Sequence, residues 1–150
     1  MPTRYEGTDD EKRSLDLMIK LARSSESFLG LLLPPITDAG LTPTQFGVLE
    51  ALYHLGPLTP SDLAEKILKS RNNLTVVIAN LERDGLVRRQ SHETDRRSQI
   101  VHLTEEGQSR IATAMPLFVK RLVQEASVLT AEEQEQLSYL LRKLGKPSPL

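Results

Sequence analysis

Asp95 and Arg97 stand two residues apart in the polar run between Ser91 and Ser98. In extended backbone this spacing sends both side chains to one side. The carboxylate can then brace the guanidinium and extend it toward a narrow, electronegative groove. Upstream, Ser70, Arg71, Asn72, Thr75 and Val76 form a second group. Ser70 is a good helix N-cap, and the helix N-terminus with Arg71 can hold a phosphate. Asn pairs bidentately with adenine, and Thr bonds a base edge or meets a thymine methyl. Arg88, Arg89 and Arg96 add cations near both groups. Between Lys66 and His102 there are eight Lys/Arg against four Asp/Glu, net +4, whereas the remainder has eleven against sixteen, net −5. A basic middle in an acidic chain is the charge pattern of a polyanion-binding module.

Other chemistries lack their residues. The chain has no cysteine, which removes disulfides, thiol nucleophiles and Cys-containing zinc sites. His54, His92 and His102 show no metal-ligand spacing. No Ser-His-Asp, Walker or glycine-rich fingerprint occurs. Glu132, Glu133 and Glu135 mark a helix start, not a catalytic pair. Aromatics are only 4%, too few for a platform that stacks single-stranded bases. The expectation is a non-enzyme without cofactor or metal. The N-terminus has no apolar signal core and no run approaches the roughly 20 residues of a membrane span, so a cytoplasmic protein without membrane attachment is expected.

The elements that must position these residues are written in their caps. Thr8-Asp9-Asp10-Glu11, Thr42-Pro43-Thr44-Gln45 and Thr130-Ala131-Glu132-Glu133 match the capping box, and Thr59-Pro60-Ser61-Asp62 is a near variant. Helices are expected from near Asp10 to Leu33, ended by Pro34-Pro35, and from Pro43 to Leu55. Two more follow, from Pro60 to about Lys69 and from Arg71 to Asp84. On that fourth helix Leu74, Val77, Ile78 and Leu81 make the buried stripe. Asn72, Val76, Ala79 and Arg83 collect opposite it, with Thr75 on the flank. Gly85 then closes the helix. Leu86 to Gln90 and Gln99 to Leu103 read as strands of a long-tipped hairpin. Helices near Glu105 to Ser127 and Ala131 to Leu144 complete the chain, the first kinked but unbroken at Pro116. The wide apolar stripes of the first and last helices call for a partner surface.

The residues from Thr59 to Gly107 resemble the MarR family of transcriptional regulators. The resemblance rests on Leu81-Glu82-Arg83-Asp84-Gly85-Leu86-Val87-Arg88-Arg89, on Asp95-Arg96-Arg97-Ser98 and on Leu103-Thr104-Glu105-Glu106-Gly107. It implies an α+β, mostly α fold: a winged helix-turn-helix with flanking dimerisation helices. The whole chain, 1–150, would be one domain, with a DNA-binding lobe at about 42–103 and dimerisation helices at about 10–33 and 105–145. It implies a homodimer clasped by the first and last two helices, a recognition helix at about 71–84 in the major groove and a wing near 88–102 with Asp95 and Arg97 at the minor groove. With the residue reading above, the expectation is a pseudo-palindromic duplex contacted by Ser70, Arg71, Asn72, Thr75, Val76, Arg88, Asp95, Arg96 and Arg97. It further implies repression relieved by a small phenolic or quinone-like effector. Met18, Phe28, Phe46, Tyr53, His54, Met115 and Phe118 are the side chains expected to line that pocket. Residues 47–56 look like members that respond to quinones. The absence of Cys and Trp separates the chain from thiol-sensing and urate-responsive members. The competing reading is a winged-helix dimer that serves only as a protein-interaction adaptor.

Overall fold

The structure, a computed structural model, describes residues 4–67, 71–91 and 99–145, and only the backbone of residues 71 and 72. Along the described residues run α1 (Asp9–Leu31), α2 (Leu33–Asp38), α3 (Pro43–Leu55), α4 (Pro60–Ile67) and α5 (Arg71–Arg83). They are followed by β1 (Val87–Ser91), β2 (Gln99–Leu103), α6 (Glu105–Ala126) and α7 (Ala131–Gly145). The fold is mostly helical with a small antiparallel sheet, the expected winged helix-turn-helix order.

The caps form as their sequences require. At α1, Thr8 accepts from the Glu11 amide while Glu11 accepts from the Thr8 amide, and Thr42 and Gln45 repeat the exchange at α3. Asp62 N–H donates to Thr59 at 3.2 Å, and Glu133 N–H donates to Thr130 at 3.2 Å. Each pair satisfies donors that a helix start otherwise leaves open.

The end of the first helix differs from expectation. α1 stops at Leu31, with Leu32 as its C-cap, and a second short helix begins at Leu33. Pro34 and Pro35 therefore do not terminate the helical path. They occupy the first turn of α2, where a missing N–H costs nothing and the fixed φ is already helical. α6 continues through Pro116 from Glu105 to Ala126.

The chain divides into two compact units, Leu33–Lys120 and Met1–Leu32 with Arg121–Leu150. The first unit holds the core. Leu49, Leu63, Leu74, Ile78, Leu81, Val87, Val101 and Ile111 are fully or almost fully buried there. β1 pairs with β2 in antiparallel register, Val87 opposite Leu103 and Arg88 opposite His102. Leu58 extends this ladder: its N–H donates to the Val101 carbonyl at 3.2 Å, and Val101 N–H donates to the Leu58 carbonyl at 2.8 Å. The segment after α3 thus pins the base of the hairpin. Gly85, at φ 77°, makes the left-handed turn from α5 into β1.

In the second unit, α1 and α7 bury no residue. Leu17, Met18, Leu29, Leu137, Leu140 and Leu144 are all exposed. Arg121 donates to the Leu31 carbonyl at 3.0 Å, supplying a cation to an α1 terminus whose last turn has no basic residue.

Candidate nucleic-acid interface

α5 is set by its apolar stripe. Leu74, Ile78 and Leu81 are buried and Val77 is half-buried, which fixes the rotation of the helix. Thr75, Val76, Ala79 and Arg83 are consequently exposed, Val76 at 62%. Asn73 is exposed as well, on the flank away from Thr75. The sequence reading named Asn72 and passed over Asn73, although a helical wheel places it beside the same face. Arg71 and Asn72 lie in the first turn of α5, backbone only. Ser70, Asp95, Arg96 and Arg97 lie outside the described residues.

The hairpin carries its own cations. Arg88 is exposed on β1 and donates to Gln90 Oε1 at 3.2 Å. Across the ladder stands His102, half-buried on β2. Burial, and next to it the Arg88 charge, holds the His102 pKa below its ordinary value, so the ring is neutral near pH 7. Arg89 behaves differently from Arg88. Its guanidinium donates to Glu82 Oε1 through Nη2 at 2.8 Å and through Nε at 3.3 Å, and its amide donates to Glu82 Oε2 at 3.1 Å. The hydrogen bond to Arg89 draws the Glu82 pKa below its ordinary value, and the Arg89 pKa rises in turn. Sequence reading did not find this pair. Its signal is an acid at the end of α5 and a base on the following strand.

The residues expected at an effector pocket are distributed as follows. Phe46 and Phe118 meet with ring centroids 4.8 Å apart, and Met115 packs on the same core. Tyr53 and His54 form an edge-to-face pair at 5.1 Å, and His54 Nδ1 lies 3.0 Å from Glu50 Oε1. Met18 and Phe28 belong to the unit that contains α1. Among the described residues no group of three His, Asp or Glu side chains is placed to hold a metal ion. No helix among them is long and apolar enough to cross a membrane.

A helix locked by one apolar stripe, exposing its polar side and leading through a glycine turn into a cationic hairpin, defines the winged helix-turn-helix class of DNA-binding proteins. The MarR family matches residues 39–98. The chain is 33% identical to the uncharacterized HTH-type transcriptional regulator YkoM of Bacillus subtilis over 137 residues, covering 91% of this chain and 89% of that one. It is 30% identical to the homoprotocatechuate degradative operon repressor of Escherichia coli over 127 residues, 85% and 86% of the two chains. The chain belongs to the MarR family of transcriptional regulators. Among solved structures, a mutant MarR from E. coli complexed with operator DNA superposes with a TM-score of 0.83 at 25% identity, covering 93% of this chain and all of that one (100%). NadR in complex with 4-hydroxyphenylacetate gives 0.72 at 27% identity, with coverage of 97% and 99%.

Proposed function

We propose that this chain is a homodimeric repressor that binds a pseudo-palindromic duplex and is released by a small phenolic or quinone-like effector. The observation that carries the reading is the exposed face of α5. Buried Leu74, Ile78 and Leu81 turn Thr75 and Val76 outward on the helix whose first turn holds Arg71 and Asn72. That face suits the major groove, with Ser70 and Arg71 at phosphate and Asn72 and Thr75 at base edges. Arg88, Asp95, Arg96 and Arg97 serve the wing, where the arginines meet backbone and minor groove. The DNA-binding lobe is residues 42–103, and residues 10–33 and 105–145 supply the dimer helices. Repression is supported by the relative that is named a repressor, and a phenolic effector by the relative solved with 4-hydroxyphenylacetate. Tyr53, His54, Met115 and Phe118 are the side chains proposed to meet the effector. The relatives are regulators rather than enzymes, and no catalytic role is assigned to any residue.

The test is binding of the full-length protein to duplexes selected from a randomised pool, titrated over salt. With roughly 6–10 phosphate contacts per dimer, log affinity should fall against log salt by about 0.9 per contact. Selected duplexes should carry an inverted repeat. Tight binding indifferent to salt would overturn the reading, and failure to select any duplex would overturn it in favour of a protein-interaction adaptor.

A further inference from the structure

Glu82, half-buried, is the penultimate residue of α5, and Arg89 is the third residue of β1. Between them lie Arg83, Asp84, the left-handed Gly85, the buried Leu86 and Val87, and the exposed Arg88. One carboxylate grips both the backbone and the side chain of Arg89, through three hydrogen bonds of 2.8–3.3 Å. A bond to the backbone amide fixes the path of the strand itself, which a surface ion pair between two side-chain ends does not. Two of the three guanidinium nitrogens, Nε and Nη2, bond Glu82, so that edge of the fork is turned toward protein. Arg88, the neighbour on the opposite face of β1, has no acid within ion-pair distance among the described residues and bonds only the neutral Gln90.

We infer that Glu82 and Arg89 are positioning residues that fix the hairpin's direction relative to α5, and that Arg89 is not one of the arginines that contact phosphate. This rests on the proposed DNA-binding reading and sharpens it. An operator contacted by a helix and a wing at once needs the two at a set angle, because the grooves they enter are a fixed distance apart. Loss of the clamp leaves every contacting side chain in place and lowers the share of molecules poised to use them together.

The two possible roles of Arg89 predict opposite signs for one substitution. Glu82→Gln removes the negative charge, replaces the carboxylate by a weaker acceptor for both the Arg89 amide and its guanidinium, and so loosens the clamp while freeing the guanidinium. If Arg89 were a phosphate contact restrained by Glu82, the variant would bind DNA more tightly. If the pair sets geometry, it should bind about fivefold more weakly despite its added positive charge, a loss of the size expected when a half-exposed ion pair is broken. The probe is a duplex that the parent protein selects from a randomised pool, with a scrambled duplex of equal length as reference. Arg89→Gln is the second variant, and thermal melts of each protein establish that it is folded. The expected result is a similar loss for both single variants on the selected duplex. Glu82→Gln with Arg89→Gln should add little further, and all should keep the parent's salt slope. Tighter binding by Glu82→Gln would overturn the inference. So would a shallower salt slope for Arg89→Gln, by about 0.9 per protomer. If the parent selects no duplex, the DNA-binding reading falls and takes the inference with it.

Discussion

Gly107, in the first turn of α6, passes so close to Leu86 that a Cβ on it would sit 1.9 Å from the Leu86 carbonyl oxygen. The approach is held by Thr104, whose amide donates to that same carbonyl at 3.1 Å and whose hydroxyl donates to the Gly85 carbonyl at 2.6 Å. The Thr104 hydroxyl also accepts the Gly107 amide at 3.0 Å. The start of α6 is thereby fastened to the turn that leads from α5 into the wing. Two short motifs distant in sequence, one containing Gly85-Leu86 and one ending at Gly107, are parts of a single joint.

Gly107→Ala should therefore be severe. A methyl group driven against backbone has no flexible neighbour to displace, and a cost of about 3 kcal/mol is expected. Urea unfolding of parent and variant measures it. A midpoint unchanged from the parent would show that the joint can open without loss.

Leu81 and Val76 share α5 and face opposite ways, Leu81 being fully buried and Val76 mostly exposed. Leu81→Ala should cost about 2–5 kcal/mol of stability through the cavity it leaves. Val76→Ala should change stability by no more than about 0.5 kcal/mol. Denaturant titrations of the two variants decide this, and equal losses would mean the rotation of α5 is misassigned.

Acid should weaken the unit Leu33–Lys120 in two windows. His102 has its pKa lowered from an ordinary 6.5, first by burial and then by Arg88. Its neutral form is favoured in the folded state, so stability is full above 6.5 and is lost as pH falls through the lower folded value. Glu82 has its pKa lowered from 4.5, chiefly by the hydrogen bond from Arg89. Its contribution is full above the carboxylate range and is lost as pH falls through its folded value. The pair is more than a third exposed on the carboxylate side, so solvent screening keeps this second effect small. His102→Gln should flatten the stability profile just below neutrality, measured as the urea midpoint between about pH 5 and 7.5. An unchanged profile would remove His102 from the account.

The exposed leucines of α1 and α7 lead to a prediction about assembly. Leu29 and Leu140 are exposed, together with Leu17, Leu137 and Leu144. Exposed leucines striping a helix in this way are normally covered by a partner. Sedimentation at micromolar concentration should return a dimer, and truncation after Thr130 should dissociate and destabilise it. A stable monomer would reject the proposed homodimer.

What the sequence made legible is what is local. The Thr8–Glu11 and Thr42–Gln45 boxes lie within one helical turn, so their hydrogen bonds could be written down from spacing alone. The stripe of Leu74, Ile78 and Leu81 is likewise a matter of period. The break at Leu32 was not legible, because Pro34-Pro35 suits the first turn of a helix as well as the end of one. The pairing of Leu58 with Val101 joins residues far apart in the chain and leaves no periodic trace. Of the interface, the face of α5 followed from its apolar stripe. Glu82 and Arg89 escaped notice because a helix, a left-handed glycine and a strand start lie between them, and no single period spans all three.

The most direct test of the central claim is the base preference read by α5. Parent protein and Thr75→Ala should be titrated against every single-base variant of a selected duplex. The substitution should cost about 1–3 kcal/mol on the parent duplex and relax preference at one base pair per half-site, with thermal stability retained. A uniform loss across all duplexes, or no loss at any, would contradict the placement of this face of α5 in the major groove.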